Sequence, residues 1–106
     1  MPPVRQTYKL QSGEVIELFY IGALATALGR TPNTIRRWEI SGIIPDPCFR
    51  DPYNKRLYSQ EQIDAICVCA ERARIMQGSS IGHTNFSKWC YKALETIQRK
   101  YMGGNL

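Results

Sequence analysis

Asn33, Arg36 and Arg37 fall within five residues of one another, and Arg50, Lys55 and Arg56 follow within the next twenty. Side chains of these types do recognition chemistry rather than bond making. A guanidinium offers forked donors that match phosphate oxygens or the acceptor edge of guanine, and an asparagine carboxamide matches the edge of adenine. Reactive constellations are missing from the sequence: the one histidine, His83, has no nucleophile or carboxylate arranged beside it, and no phosphate-binding glycine loop or metal-ligand cluster is present. No catalytic residue, no cofactor and no metal is therefore expected.

The elements that position these groups follow from periodicity and punctuation. Residues 7–19 alternate around Ser12-Gly13, which predicts a short hairpin or extended arm. From Leu18 the period becomes helical through Ile21, Leu24, Ala25 and Leu28, and Gly29 stands where that helix would stop. Thr31 then suits an N-cap and Pro32 the first helical position, opening a second helix to about Ser41 with Gly42 as its left-handed stop. So short a join forces a steep crossing, the geometry of a helix-turn-helix. Ala25 is the small residue where the helices touch, Gly29 the turn, and Ile35 and Trp38 the inward anchors. That leaves Thr31, Asn33, Thr34, Arg36 and Arg37 around an exposed helix N-terminus, the part that a groove-reading helix inserts.

Residues 45–52 hold three prolines and two aspartates, which preclude regular helix, and Tyr53-Asn54-Lys55-Arg56-Leu57-Tyr58 reads as a turn at Asn54-Lys55 and a short strand. This wing carries Arg50, Lys55 and Arg56 as phosphate or minor-groove contacts. Leu57 and Tyr58 are expected to pack it onto the helices, with Tyr58 also a candidate contact. Ser59 and Gln62 form a capping-box signature for a third helix with an apolar face of Ile63, Ile66, Cys67, Ala70 and Ala73, and a weaker one of Val68, Ile75 and Met76. After a flexible break at 77–82, Thr84 or Asn85 would cap a last helix with Phe86, Trp89, Cys90, Ala93, Leu94, Ile97 and Tyr101 on one side. This helix is either a lid over the third helix or a dimer interface built from Phe86, Trp89, Ala93 and Ile97.

The chain has 106 residues, 43% of them hydrophobic, which fits one small domain, and a formal charge of +5 that suits a polyanionic partner. Its longest apolar run, 65–70, is far too short to span a membrane, and no signal core is evident at the start. Cys67 and Cys69 point apart on a helix and cannot share an ion. With Cys48 and Cys90 they read as free thiols in a reducing compartment.

Tyr20-Ile21-Gly22-Ala23-Leu24-Ala25, Gly29, Thr34-Ile35-Arg36-Arg37-Trp38-Glu39, Gly42-Ile43-Ile44-Pro45 and Arg56-Leu57-Tyr58-Ser59 resemble, in order and spacing, the winged helix of the MerR family. The resemblance covers 19 to about 76. It implies sequence-selective binding of duplex DNA, with Thr34 and Arg36 near DNA, Glu39 at the family's acidic position closing the second helix, and Arg56 as the wing arginine. Two departures stand out: Asn54-Lys55 replaces the usual wing glycine, and Arg37-Trp38 a usual aromatic pair. The Arg-Trp-Glu version is similar to compact bacteriophage regulators, excisionases and small terminase subunits.

The expected fold is mainly α: a winged helix-turn-helix at 19–77, preceded by an arm or hairpin at 1–18 and followed by a linker, a C-terminal helix and a frayed tail at 78–106. The last segment leaves no room for an effector domain. The expected function is that of a small transcriptional regulator binding double-stranded DNA in a bacterial cytoplasm, encoded by the bacterium or by a phage, as a homodimer or with a cooperating protein. The alternatives are an excisionase-like or packaging architectural factor, and a protein-interaction module that uses the C-terminal helix.

Overall fold

The computed structural model describes residues 5–47, 49–75 and 84–101. Strands β1 (Arg5–Lys9) and β2 (Val15–Tyr20) form the expected hairpin, with Lys9 opposite Val15 and Gly13 at φ +94° in the turn. Helices α1 (Ile21–Leu28) and α2 (Pro32–Ile40) follow, then β3 (Phe49–Arg50), β4 (Arg56–Ser59), α3 (Gln60–Ala73) and α4 (Phe86–Tyr101). All four strands share one antiparallel sheet in the order β1-β2-β4-β3. Four helices with a sheet of this size carry more β structure than a mainly α description conveys. Helix α1 starts three residues later than the change of period at Leu18 suggests, because Leu18, Phe19 and Tyr20 pair with Ser59, Tyr58 and Leu57.

The register sorts the sheet into two faces, both covered. Leu18, Leu57, Phe49 and Tyr8 fall on one, where Tyr101 of α4 reaches Phe49 at 5.7 Å between ring centroids and bonds to Ser59 at 2.7 Å. Phe19 and Tyr58 fall on the other, against the helical core. Consecutive residues Leu57, Tyr58 and Ser59 are consequently all buried, as expected of a central strand rather than of a solvent-facing wing.

Local signals set the helix ends. Gly29 ends α1 in the left-handed conformation, and Thr31 caps α2 by accepting the Thr34 amide. Ile35 and Trp38 are buried under α2, Trp38 edge-on to Phe86 with ring centroids 5.4 Å apart. The Ser59–Gln62 capping box opens α3 in both directions.

The expected faces of α3 need two corrections. Cys69 is buried, while Cys67 and Ala73 are only half-buried, so the inward stripe is rotated toward α4. Val68 is 61% exposed, and Ile75 enters the core from beyond the helix, where Arg74 adopts φ +59° and the Ile75 amide turns back to the Ala70 carbonyl.

Helix α4 lies on α3 as a lid. It buries Phe86, Cys90, Leu94, Ile97 and Tyr101. The Cys69 and Cys90 thiols meet across this seam as free cysteines, and burial pushes both thiols up from their ordinary pKa. The break at 77–82, His83, Cys48, Met76 and the tail at 103–106 lie outside the described residues. Among the described residues no group of three His, Cys, Asp or Glu side chains could hold a metal, and no helix is long and apolar enough to cross a membrane.

Candidate nucleic-acid interface

The exposed side of α2 is built by its buried side. With Ile35 and Trp38 turned inward, Asn33, Arg36 and Arg37 are left exposed. Asn33 is partly used within the helix, its Oδ1 accepting from Arg36 Nη1 at 2.7 Å, which orients that guanidinium. Arg37 has no side-chain partner among the described residues. Thr31 and Thr34 are engaged with each other, hydroxyl to hydroxyl at 3.0 Å, as part of the cap.

The ribbon behind α2 is organised by one buried carboxylate. Asp51 Oδ1 accepts the backbone amides of Tyr53 at 2.9 Å and Lys55 at 2.8 Å, closing the turn around Asn54, which sits at φ +64° where a glycine is the easier residue. Asp51 Oδ2 accepts the Tyr20 hydroxyl at 2.8 Å, and that oxygen in turn accepts from Gln6 Nε2 at 2.9 Å. A chain from β1 through β2 thus reaches the ribbon tip. Burial alone would raise the Asp51 pKa, but hydrogen bonds from the Lys55 amide, the Tyr20 hydroxyl and the Tyr53 amide outweigh it and hold the carboxyl below its ordinary value. The same bond to Asp51 pushes the Tyr20 hydroxyl above its ordinary value.

Three of the sequence-predicted contacts are placed differently. Tyr58 is fully buried, with its hydroxyl unpartnered among the described residues, so it is a core residue and not a contact; the sheet has helices behind it and α4 in front. Arg56 donates to Glu39 Oε2 at 2.5 Å, and that bond, opposed by partial burial, raises the guanidinium pKa further. Arg50 Nη2 reaches Asp46 at 2.6 Å and Glu39 at 3.4 Å, while its Nη1 donates to the Asn54 carbonyl at 3.2 Å. Arg50 and Arg56 are therefore ribbon-to-helix ties first. Lys55 remains exposed at the turn.

Helix and ribbon converge on a cleft of about 420 Å³ lined by Tyr20, Ile21, Arg36, Asn54, Lys55 and Arg56. Its lining holds Arg36, Lys55 and Arg56, of which Arg56 is already paired with Glu39, so the cationic character comes chiefly from Arg36 and Lys55. Tyr53, which is not among the sequence-predicted contacts, is 83% exposed at the turn. Its signal was an aromatic residue inside a Pro-Tyr-Asn-Lys turn between basic neighbours. The four interface candidates divide: Phe86 and Ile97 are core residues, whereas Trp89 and Ala93 are half-buried beside a groove, Arg72 stacking over the Trp89 ring at 4.1 Å.

A tight helix pair, an exposed basic second helix and a basic ribbon tied to its end define a helix-turn-helix protein. A family model described as MerR HTH family regulatory protein matches residues 19–75, more than half of the chain, and the chain belongs to that family. Over 52 residues it is 48% identical to an HTH-type transcriptional regulator ZntR homolog from Haemophilus influenzae, an alignment covering 46% of this chain and 38% of that relative. The chain thus matches well under half the length of that relative. No solved structure matches it.

Proposed function

We propose that this chain is a non-enzymatic transcriptional regulator that binds double-stranded DNA selectively, with α2 in the major groove and the β3–β4 ribbon acting as a wing on the backbone. The observation that carries the reading is the cleft where Arg36 of α2 meets Lys55 of the ribbon, with the Glu39-paired Arg56 in its wall. A phosphate held there would fix the register from which Asn33 and Arg37 meet base edges. The family membership and the regulatory role named for the Haemophilus influenzae relative support it. A regulator of this kind would work in a bacterial cytoplasm.

A single recognition helix reads few base pairs, so selectivity calls for a second copy or a cooperating protein. The groove between α3 and α4 suits a second copy. Exposed Val68 lies in it with the half-buried Trp89 and Ala93, an apolar strip that a two-fold axis would lay against itself, and Arg72 and Lys92 border it.

Selection of bound duplexes from a random DNA pool at near-physiological salt tests the reading. An enriched inverted repeat supports a dimeric regulator. Direct or single half-sites favour an excisionase-like or packaging factor, and salt-sensitive retention without enrichment an architectural one. No retention overturns DNA binding in favour of a protein-interaction module working through α4.

A further inference from the structure

Among the described residues, the sheet face that α4 covers is covered incompletely. Helix α4 reaches it only with its last turn, where Gln98 and Tyr101 stand over the strands. Between that turn and the hairpin lies a cleft of about 320 Å³, separate from the basic cleft beside α2. All four strands contribute to it: Gln6 and Tyr8 from β1, Leu18 from β2, Leu57 from β4, and Phe49 and Arg50 from β3.

Its chemistry narrows the occupant. The floor is apolar, formed by Leu10, Leu18 and Leu57, all under 10% exposed. The walls are aromatic, with the Tyr8 and Phe49 rings edge to face at 5.3 Å and Tyr101 tilted against Phe49. The rim carries the Gln6 and Gln98 carboxamides. Among the described residues the one charged side chain in the lining, Arg50, already meets Asp46 and Glu39, so these residues offer no uncompensated cation to an acid and no carboxylate to a base. Concave, mostly apolar sites with a few polar groups at the edge are how proteins hold small molecules, and this volume is at the lower end of that range.

We propose that this cleft binds a small, planar, uncharged aromatic molecule, seated on Leu18 and Leu57 against the paired Tyr8 and Phe49 rings, with the Gln6 and Gln98 side chains at its edge. Such a ligand would bridge the hairpin to β3. Arg50 borders the cleft and is also bonded to Glu39 at the end of α2, so occupancy would stiffen the tie between ribbon and helix. That consequence for DNA rests on the proposed function; the binding itself does not.

The test is a titration of the isotopically labelled full chain with indole, followed by backbone amide shifts. Saturable shifts confined to residues 6–10, Leu18, Phe49, Leu57 and the last turn of α4 are expected. Gln98→Trp, which fills the cleft from its rim, should weaken indole binding at least about tenfold while leaving the rest of the spectrum in place. Tyr8→Ala, at a position 47% exposed and so tolerant of change, should weaken it as well. Absence of saturable shifts, or saturation that both variants leave unchanged, would overturn the proposal. So would shifts of the same residues on raising protein concentration without indole, which would mean that a second copy covers the cleft. No DNA enters this measurement, so failure of the regulatory reading would leave its outcome standing.

Discussion

Glu39 accepts from Arg56 across 17 residues of sequence, and its second oxygen faces Arg50 at 3.4 Å, so one carboxylate at the end of α2 holds two cations of the ribbon. With its side chain only 10% exposed, Glu39 is shielded from the screening that makes surface pairs nearly worthless. Glu39 sets where the ribbon stands relative to α2, and together with Asp46 on Arg50 it offsets the positive charge of both arginines.

A salt titration exposes that offset. With Arg36, Arg37 and Lys55 as the free cations, a protomer should show a log-log slope of about −2.7 for DNA affinity. Glu39→Gln keeps the shape and releases Arg56, while Arg50 keeps its bond to Asp46, so the slope should steepen toward about −3.6 while preference between sequences declines. An unchanged slope would mean that Arg56 contacts phosphate in the parent protein as well.

Arg37 and Lys55 should separate base reading from backbone binding. Arg37→Ala removes an exposed guanidinium without side-chain partners among the described residues, and should relax preference at one base pair by about 1–3 kcal/mol. Lys55→Ala should weaken all sequences about equally and lower the salt slope by about 1. Competition binding against single-base variants of the selected site distinguishes them, and equal profiles for the two variants would refute the division of roles.

What the sequence disclosed was what neighbours along the chain decide. The Thr31 cap with Pro32, the left-handed Gly29 and the Ser59–Gln62 capping box are all satisfied within five residues, and each lies where the sequence places it. Asn54 was legible as a turn residue for the same reason. The Gln6–Tyr20–Asp51 chain and the Glu39 ties were not, since their partners come from different strands and meet only after the sheet forms. The inward placement of Cys69 in preference to Cys67 depends on where α4 docks, which periodicity within α3 does not contain.

Tyr58 supplies a stability test of its reassignment from contact to core. Its hydroxyl is buried without a protein partner among the described residues, and burial pushes its pKa far above the ordinary value. Removing an unsatisfied buried polar group costs nothing in hydrogen bonding, so Tyr58→Phe should leave stability unchanged or raise it by up to about 1 kcal/mol, with DNA affinity unaltered. Tyr58→Ala should cost about 3–5 kcal/mol by analogy with other large aromatic deletions. Urea denaturation measures both; a clear loss for Tyr58→Phe would show that the hydroxyl is bonded after all.

The Asp51–Tyr20 bond should give the fold a pH window with identifiable edges. The Asp51 carboxyl titrates below its ordinary 3.8 in the folded chain, so its contribution is complete above that value and is lost as pH falls through the lowered folded pKa. Tyr20 is shifted the other way, above 10.0, so its contribution is complete below that value and is lost as pH rises through the raised folded pKa. Asp51→Asn should therefore lower Tm at neutral pH and flatten the acid edge, whereas Tyr20→Phe should flatten the alkaline edge and leave the Tyr53 and Lys55 amides bonded to Asp51. Both variants loosen the ribbon and should weaken DNA binding without touching α2. Melting curves from pH 3 to pH 11 decide it, because an Asp51→Asn profile parallel to that of the parent protein would place the acid-sensitive group elsewhere.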